Sequence, residues 1–209
     1  MTTATTSRDA RPLFGAALTT ATAVVAAVQP EQLDGPTPCA DFTVRDLLEH
    51  LVGMTDRLTT IGRGHDPFTV PGREVSGDAW LAAWNDAVDD YVAVWTDDAA
   101  LDVPSPLPWI PGTGRDVVAS FVTELTIHTW DLGKAIGVAP VWDEAALEVA
   151  ARENGAGLPA KDRHEVFKAI KANLPPDLAA LPDPFADAVD VPDDAPLIDR
   201  IVAWSGRQP

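Results

Sequence analysis

The sequence predicts an all-α fold in which a bundle of four main helices is followed by short additional helices. Three observations lead to this expectation. Apolar residues recur at the three- and four-residue spacing of amphipathic helices in four segments of bundle length. The alternation of strands and helices that is typical of a parallel-sheet protein is absent from the 209 residues. Breaks rich in proline and glycine separate the helical segments.

The first two helices are predicted on either side of a turn-rich loop. Residues 1–12 are expected to form a flexible tail, and the first helix runs from there to about Val28. The apolar stretch over 15–28 could also be interpreted as a signal peptide, but three threonines interrupt it and its bulky residues follow helical spacing. The second helix opens at Thr43, a favourable N-cap, and ends at Gly62.

The third and fourth helices flank a long proline-rich loop. The third helix is expected to begin at Ser76, and its aromatic stripe is expected in the core rather than in a pocket wall. The stripe comprises Trp80, Trp84, Val88, Tyr91 and Trp95. The loop over 97–114 carries Trp109, which either covers a functional site or belongs to a stiff surface connector. The fourth helix runs from about residue 115 to 136, with Gly137 as its C-cap.

The C-terminal third is predicted as short helices and proline-rich coil packed on the bundle. A fifth helix is followed by a short amphipathic helix over 161–174 and by a last helix near the C-terminus. Residues 175–196 are rich in proline and aspartate and are expected to wrap the surface. Residues 13–209 are therefore taken as one domain, in which 138–209 pack on the bundle.

The composition is that of a globular protein with an acidic surface. Lys and Arg total 15 against 32 Asp and Glu, which gives a net charge of −17. Such a surface repels phosphate backbones and anionic lipids, so the sequence argues against nucleic-acid and membrane partners. The single cysteine, Cys39, excludes an intrachain disulfide, and this favours a reducing, cytoplasmic location.

Three polar groups lie on the apolar side of the predicted fourth helix. At 100° per residue, Glu124, His128 and Asp131 fall within one arc among apolar residues, while the threonines of this helix face the other way. A buried carboxylate needs a partner, because its desolvation alone is costly. Glu124 and His128 offer an oxygen and an imidazole to one ion. A glutamate and a histidine four residues apart more often form an ion pair on a solvated helix face, and this remains the alternative interpretation.

His50 extends this set from a second helix. It lies one turn from Leu47 and Met54, on the flank of the apolar face, where a single histidine is more often a hydrogen-bonded core residue. Together with Glu124 and His128 it supplies two imidazoles and one carboxylate, and bundle helices direct such sets inward at metal sites. Three protein ligands leave coordination positions open, as catalytic sites do.

Three segments resemble the DinB/YfiT-like metal-binding superfamily: GPTPCADFTVRDLLEHLVG, ELTIHTWDLGKAIG and VDVPDDAPLIDRIVAWSGRQP. The most similar branch is the metal-binding domain of mycothiol-dependent maleylpyruvate isomerase and its actinobacterial relatives. The resemblance implies a four-helix bundle whose metal is held by His50, Glu124 and His128. It also implies that Asp131 orients a ligand or relays a proton, and that mycothiol is the cosubstrate. Cys39 lies in the first segment, either beside this site or as a small buried residue that seats the loop.

We therefore expect a thiol-dependent enzyme of the S-transferase or isomerase type. A divalent cation would activate a small thiol for attack on an electrophilic substrate. Zn²⁺ is the default expectation, and Ni²⁺, Mn²⁺, Co²⁺ and Fe²⁺ are left open. Trp109 would cover the pocket. One alternative is a non-haem Fe(II) oxygenase-like site, and another is a non-catalytic helical module that binds a metal or ligand. The oligomeric state is left open, with a homodimer among the options.

Overall fold

The N-terminal part of the chain is a bundle of four helices. The computed structural model describes residues 9–39, 42–172, 179–180, 183 and 185–209. The helices are α1 Arg11–Val25, α2 Val44–Gly62, α3 Trp80–Trp95 and α4 Gly114–Ile136. Both α1 and α2 pack against α3 and α4, so the four helices enclose one core. The described residues form no β-strand beyond two isolated bridges, and the predicted all-α bundle is confirmed.

The contacts divide the chain into two compact units, Met1–Ala150 and Ala151–Pro209. The bundle makes up the first unit. Helix α5, Glu144–Gly157, begins in the first unit and ends in the second. The expectation that residues 138–209 pack on the bundle as part of one domain stays a prediction.

Two helix starts differ from those expected. Helix α1 begins at Arg11, inside the expected tail, with Pro12 in its first turn, where the missing proline N–H removes no helical hydrogen bond. The remainder of that tail, residues 1–8, lies outside the described residues. Helix α3 begins at Trp80 rather than Ser76, because Gly77 adopts a φ of 62° and a left-handed residue interrupts the helix.

The aromatic stripe of α3 lies in the core, as predicted, except that Val88 is only half-buried. The buried members are Trp80, Trp84, Tyr91 and Trp95. The indole Nε1 of Trp84 donates to Thr22 Oγ1 on α1 at 2.8 Å. The indole Nε1 of Trp95 donates to the carbonyl of Leu58 on α2 at 3.1 Å. Two indoles therefore join α3 to both of its neighbours.

The end of α2 depends on a close approach at Gly62. A Cβ atom there would lie 2.7 Å from Val94 Cγ1 and 2.9 Å from the Trp95 ring. We expect Gly62→Ala to lower the free energy of unfolding by about 1–3 kcal/mol, as overpacking does. Urea unfolding measures this effect. Gly53→Ala on the same helix is the control, since a Cβ there meets nothing within 4 Å. An equal loss in both variants would contradict the packing argument.

In the described part of the C-terminal unit lie the helices α6 Arg163–Lys171 and α7 Leu197–Trp204. Asn154, at the end of α5, joins α7 through its Nδ2, which donates to the carbonyl of Ile201 at 2.9 Å. Within the stretch over 175–196, which was expected to wrap the surface, residues 175–178, 181–182 and 184 lie outside the described residues. Within the part of the chain that is described, no helix is long and apolar enough to cross a bilayer.

Candidate metal centre

Helix α2 presents His50 toward α4. A capping box fixes the start of α2, because Thr43 Oγ1 accepts from the Asp46 N–H and the Asp46 carboxylate accepts from the Thr43 N–H. His50 follows two turns later, with its ring edge-on to Phe42 at a centroid distance of 5.8 Å. Its side chain is 25% exposed. The imidazole therefore lies at the boundary between the bundle interior and solvent.

Helix α4 carries Glu124 and His128 one turn apart. A second capping box, made by Thr113 and Asp116, starts the helix. It ends at Gly137, which adopts the expected left-handed C-cap with a φ of 75°. Because α2 packs against α4, the two α4 side chains meet the His50 ring. The ring centroids of His50 and His128 are 4.6 Å apart.

The donor atoms of the three side chains form a compact group. His50 Nε2 lies 3.3 Å from Glu124 Oε1, and His128 Nε2 lies 3.4 Å from the same oxygen. Two ligands that each lie about 2.0–2.1 Å from a tetrahedral ion are about 3.3 Å apart, so both distances match the edge of a zinc tetrahedron. All three donors lie within 4.8 Å of one another. Two imidazoles and a carboxylate fit a borderline-soft divalent cation.

Asp131 lies behind His128, away from solvent. Its Oδ2 is 3.1 Å from His128 Nδ1, and its side chain is fully buried. An Nδ1–H group that donates to this carboxylate leaves the Nε2 lone pair directed at Glu124 and His50. This geometry is compatible with the orienting role that the family resemblance implied, and that role stays a prediction.

The Cys39 thiol is brought to the same place by the loop before α2. Its sulfur and the donor atoms of His128 and Asp131 form a second group within 4.8 Å. Thr37 holds the loop, since its hydroxyl accepts from the Cys39 N–H at 3.2 Å. Of the two positions that the sequence left open for Cys39, the structure shows the one beside the site, with the side chain only partly buried.

The threonines of α4 do not face outward as the helical projection suggested. Thr123, Thr126 and Thr129 are all buried. The Thr123 hydroxyl donates to the carbonyl of Ala150, and the Thr126 hydroxyl donates to that of Val122. Helix α4 is therefore buried on both of its faces, and amphipathicity alone does not mark the side that carries Glu124.

Trp109 lies half-exposed on the proline-rich loop, against Phe68 at a ring-centroid distance of 6.0 Å. This loop joins α4 at Gly114, and ten residues, about 15 Å of helix, separate Gly114 from Glu124. The role of Trp109 as a cover for the site stays a prediction.

The metal-free cluster favours its charged form. Burial raises the pKa of Glu124, but hydrogen bonds from His128 and His50 together lower it by more than burial raises it. The pKa of Glu124 therefore lies well below its usual value. Burial lowers the pKa of His128, but bonds to Asp131, Cys39 and Glu124 outweigh this effect and hold the pKa well above its usual value. These two directions favour an ionised Glu124 beside a protonated His128, so a cation that binds here would compete with the proton on His128.

This competition predicts that metal affinity rises with pH. His128 must lose its proton to bind an ion, and its raised pKa places that loss above the usual range for histidine. Between pH 6 and 8 we expect affinity to increase by up to about 10-fold per pH unit, the limit for one displaced proton. Without metal, the proton on His128 stabilises the fold. This contribution is fully present when the pH is below the pKa of His128 in the unfolded chain, and it is lost as the pH rises through the pKa of His128 in the folded chain. Competition with a chromophoric chelator measures the affinity, and a flat profile would contradict the expectation.

Loss of the Asp131 carboxylate should weaken metal binding. We expect Asp131→Asn to lower affinity by about 10- to 100-fold, because the amide no longer fixes the His128 tautomer or raises its basicity. The same chelator competition measures the loss. Asp86→Asn, at an exposed position of α3, is the matched control and should change nothing. Wild-type affinity in Asp131→Asn would contradict an orienting role.

Comparisons with known proteins identify the family of the chain. Two Mycobacterium tuberculosis proteins, "Uncharacterized protein Rv0738" of strain H37Rv and "Uncharacterized protein MT0763" of strain CDC 1551, are each 29% identical to the chain over 187 residues. The alignment covers 88% of this chain and 90% of each relative. No solved structure matches the chain. The family described as mycothiol maleylpyruvate isomerase N-terminal domain matches residues 14–133, more than half of the chain, and this match includes His50, Glu124 and His128. The chain therefore belongs to the mycothiol maleylpyruvate isomerase N-terminal domain family.

Proposed function

We propose that the bundle binds one divalent cation through His50, Glu124 and His128 and uses it to direct a small thiol at an electrophilic substrate. The supporting observation is the set of three donors from two adjoining helices, in which both histidine nitrogens lie at the edge length of a coordination tetrahedron from the Glu124 oxygen. Zn²⁺ suits this donor set, and mycothiol is the thiol that the family suggests.

The four side chains of the centre divide into a buried wall and an open edge. His128 and Asp131 have side chains that are 6% and 0% exposed, and they form the wall. His50 and Glu124 have side chains that are 25% and 31% exposed, and they form the edge. A small molecule can therefore approach from the side of His50 and Glu124, while the wall keeps water from the ring of His128.

The residues support thiol chemistry in distinct ways. A bound divalent cation lowers the pKa of a thiol that coordinates it, and so supplies a nucleophile at neutral pH. Asp131 holds the His128 ring in place through Nδ1. Glu124 adds a negative charge that offsets the charge of the cation.

The reaction class depends on whether the adduct between thiol and substrate keeps the sulfur or expels the thiol again. The thiol sulfur forms a bond to an electrophilic carbon, and the thiol proton passes to solvent or to the leaving group. If the product keeps the sulfur, the reaction is an S-transfer. If the adduct forms on an alkene and expels the thiol after bond rotation, the result is a cis–trans isomerisation. The comparisons favour neither the Fe(II) oxygenase-like alternative nor the non-catalytic module.

Elemental analysis paired with a conjugation assay tests this proposal. Gently purified protein should contain about one divalent cation per chain and should accelerate the reaction of mycothiol with chlorodinitrobenzene or with maleate. Chelation should abolish the acceleration, and added Zn²⁺ should restore it. The triple variant with alanine at His50, Glu124 and His128 should show neither property. If the protein contains metal but does not accelerate the thiol reactions, the proposed enzymatic activity is rejected. If the triple variant contains as much metal as the wild type, the proposed metal site is rejected.

A further inference from the structure

The His128 ring has a different acidic partner at each of its two nitrogens. His50, Glu124 and His128 form the first donor set, and in it His128 Nε2 lies 3.4 Å from Glu124 Oε1. The other ring nitrogen, Nδ1, lies 3.1 Å from Asp131 Oδ2. Both distances are close to the separation of about 3.3 Å between two ligands of a tetrahedral zinc ion. Asp131 therefore stands in the same relation to Nδ1 as Glu124 does to Nε2.

The Cys39 sulfur extends the pair of His128 and Asp131 to a second donor set. The sulfur, a ring nitrogen of His128 and a carboxylate oxygen of Asp131 all lie within 4.8 Å of one another. A nitrogen and a sulfur that bind one tetrahedral zinc ion are about 3.5 Å apart, so a shift of about 1 Å in the Cys39 side chain is enough to close the set. Helix α4 supplies two of these donors, and the loop that Thr37 holds supplies the third.

The two donor sets differ in charge and in burial. In the first set, one carboxylate faces a divalent cation, and the excess positive charge lies at an edge where His50 and Glu124 are 25% and 31% exposed. In the second set, a Cys39 thiolate and the Asp131 carboxylate would cancel both charges of the cation. The Asp131 side chain is 0% exposed, and a buried charge is costly unless it is neutralised. The second set therefore suits a cation that is withdrawn from solvent, which reaches it past the partly exposed Cys39.

The donor atoms of the second set select a cation by its softness. Thiolate ligands favour soft cations, whereas oxygen ligands suit Mg²⁺ and Mn²⁺. Binding at the second set costs the thiol proton and the shift of Cys39, so Zn²⁺ is expected to prefer the first set. For a more thiophilic cation such as Cd²⁺, the bond to sulfur outweighs these costs, and the second set is preferred.

One neutral His128 ring cannot serve both sets. A neutral imidazole carries hydrogen on one nitrogen and a free lone pair on the other. Ligation through Nε2 leaves the hydrogen on Nδ1, which donates to Asp131. Ligation through Nδ1 leaves the hydrogen on Nε2, where the Glu124 oxygen lies 3.4 Å away. Each tautomer therefore has a carboxylate beside its N–H, and the choice of tautomer decides which set is complete.

We propose that Cys39, His128 and Asp131 form a second cation site, which takes a thiophilic divalent cation and whose occupation excludes an ion from the first donor set. On binding, the thiol proton and the Nδ1 proton pass to solvent, and Nε2 keeps its hydrogen. The site itself does not depend on the proposed function, whereas the exclusion rests on the metal site proposed there. Because linkage is reciprocal, an ion in the first set weakens binding at the second by the same factor.

Titration of the full chain with Cd²⁺, in oxygen-free buffer without added thiols, tests the site. A bond between Cd²⁺ and a thiolate gives a charge-transfer absorption in the ultraviolet, and Cys39 is the single cysteine of the chain. We expect this absorption to saturate at one Cd²⁺ per chain in the wild type and to be absent in Cys39→Ser. Glu124→Gln, which breaks the first set, should keep the full absorption.

A carboxylate variant tests whether Asp131 belongs to the second set. Asp131→Asn should raise the Cd²⁺ concentration that gives half of the absorption by at least about 10-fold. Asp86→Asn, at an exposed position of α3, is the control and should leave that concentration unchanged. Wild-type behaviour in Asp131→Asn would overturn the second set as it is proposed.

Competition with Zn²⁺ tests the exclusion. Zn²⁺ that saturates the first set should raise the Cd²⁺ concentration for half of the absorption by at least about 10-fold in the wild type. In Glu124→Gln the same Zn²⁺ should have a smaller effect, because only direct competition for the second set remains. Equal shifts in the two proteins would overturn the exclusion. If Glu124→Gln instead binds Zn²⁺ as the wild type does, the proposed metal site fails, and the Cd²⁺ absorption still decides the second site.

Other outcomes would overturn the site itself. These are an absence of the absorption in the wild type, its persistence in Cys39→Ser, and its loss in Glu124→Gln. Should Cys39→Ser fail to fold, as judged by circular dichroism, alkylation of the wild type decides. At about 10 times its dissociation constant, Cd²⁺ should slow the reaction of Cys39 with iodoacetamide by about 10-fold, as read by mass spectrometry, whereas Mg²⁺ should not. An unchanged alkylation rate with Cd²⁺ would reject the site.

Discussion

Replacing His128 by alanine is expected to abolish metal binding at concentrations that saturate the wild-type protein. His128 is the most buried of the three proposed ligands, and its Nε2 and His50 Nε2 both lie close to the same Glu124 oxygen. Without His128, only the partly exposed side chains of His50 and Glu124 remain, and two ligands are too few to hold the ion firmly. Loss of a group that only orients a ligand costs about 10- to 100-fold, so loss of the ligand itself should exceed about 100-fold.

Elemental analysis and chelator competition measure this effect, and a second histidine provides the control. His65 is exposed in the turn after α2 and should be replaceable by alanine with no change in metal content. His50→Ala and Glu124→Ala should each lose metal as well, because every ligand of a three-ligand set is required. If His128→Ala retains stoichiometric metal while His50→Ala loses it, the ion is held by a different set of donors.

Part of the candidate site could be predicted from the sequence. Helical spacing places Glu124 and His128 on one face, since residues four apart are neighbours on any helix. The position of His50 depends on which helices are neighbours. The sequence placed it with Glu124 and His128 because bundle helices can direct such a set inward, and the family resemblance implied the same three residues. The sequence left open whether Cys39 lies beside the site, because its approach to His128 depends on a loop that Thr37 holds through local hydrogen bonds.

The fold was predictable where periodicity and capping agree. Thr43 and Gly137 begin and end their helices as expected, because both act through local backbone chemistry. The start of α3 was wrong, because the left-handed conformation of Gly77 cannot be read from composition. The threonines of α4 were misplaced because a helix in contact on several sides has no polar face to detect.

Replacing Trp84 by alanine should lower the free energy of unfolding by about 3–5 kcal/mol. This indole is 1% exposed in the middle of α3, so the variant leaves a large cavity and also removes the hydrogen bond to Thr22. Urea unfolding with EDTA present measures the loss. Val92→Ala, on the same helix at a position that is 50% exposed, is the control and should stay within about 0.5 kcal/mol of wild type. A small loss in Trp84→Ala would contradict its placement in the core.

Repeating that measurement with metal separates the core from the metal centre. A ligand that binds only the folded state adds about 2.7 kcal/mol of stability when it is present at 100 times its dissociation constant. Trp84 lies on α3, whereas His50, Glu124 and His128 lie on α2 and α4. Trp84→Ala should therefore gain the same increment from metal as the wild type, although it starts from a lower stability. His128→Ala should gain nothing from metal, whatever its starting stability. If metal failed to stabilise Trp84→Ala, the geometry of the centre would depend on the packing of α3, and the two helices that carry the ligands would not be sufficient to define it.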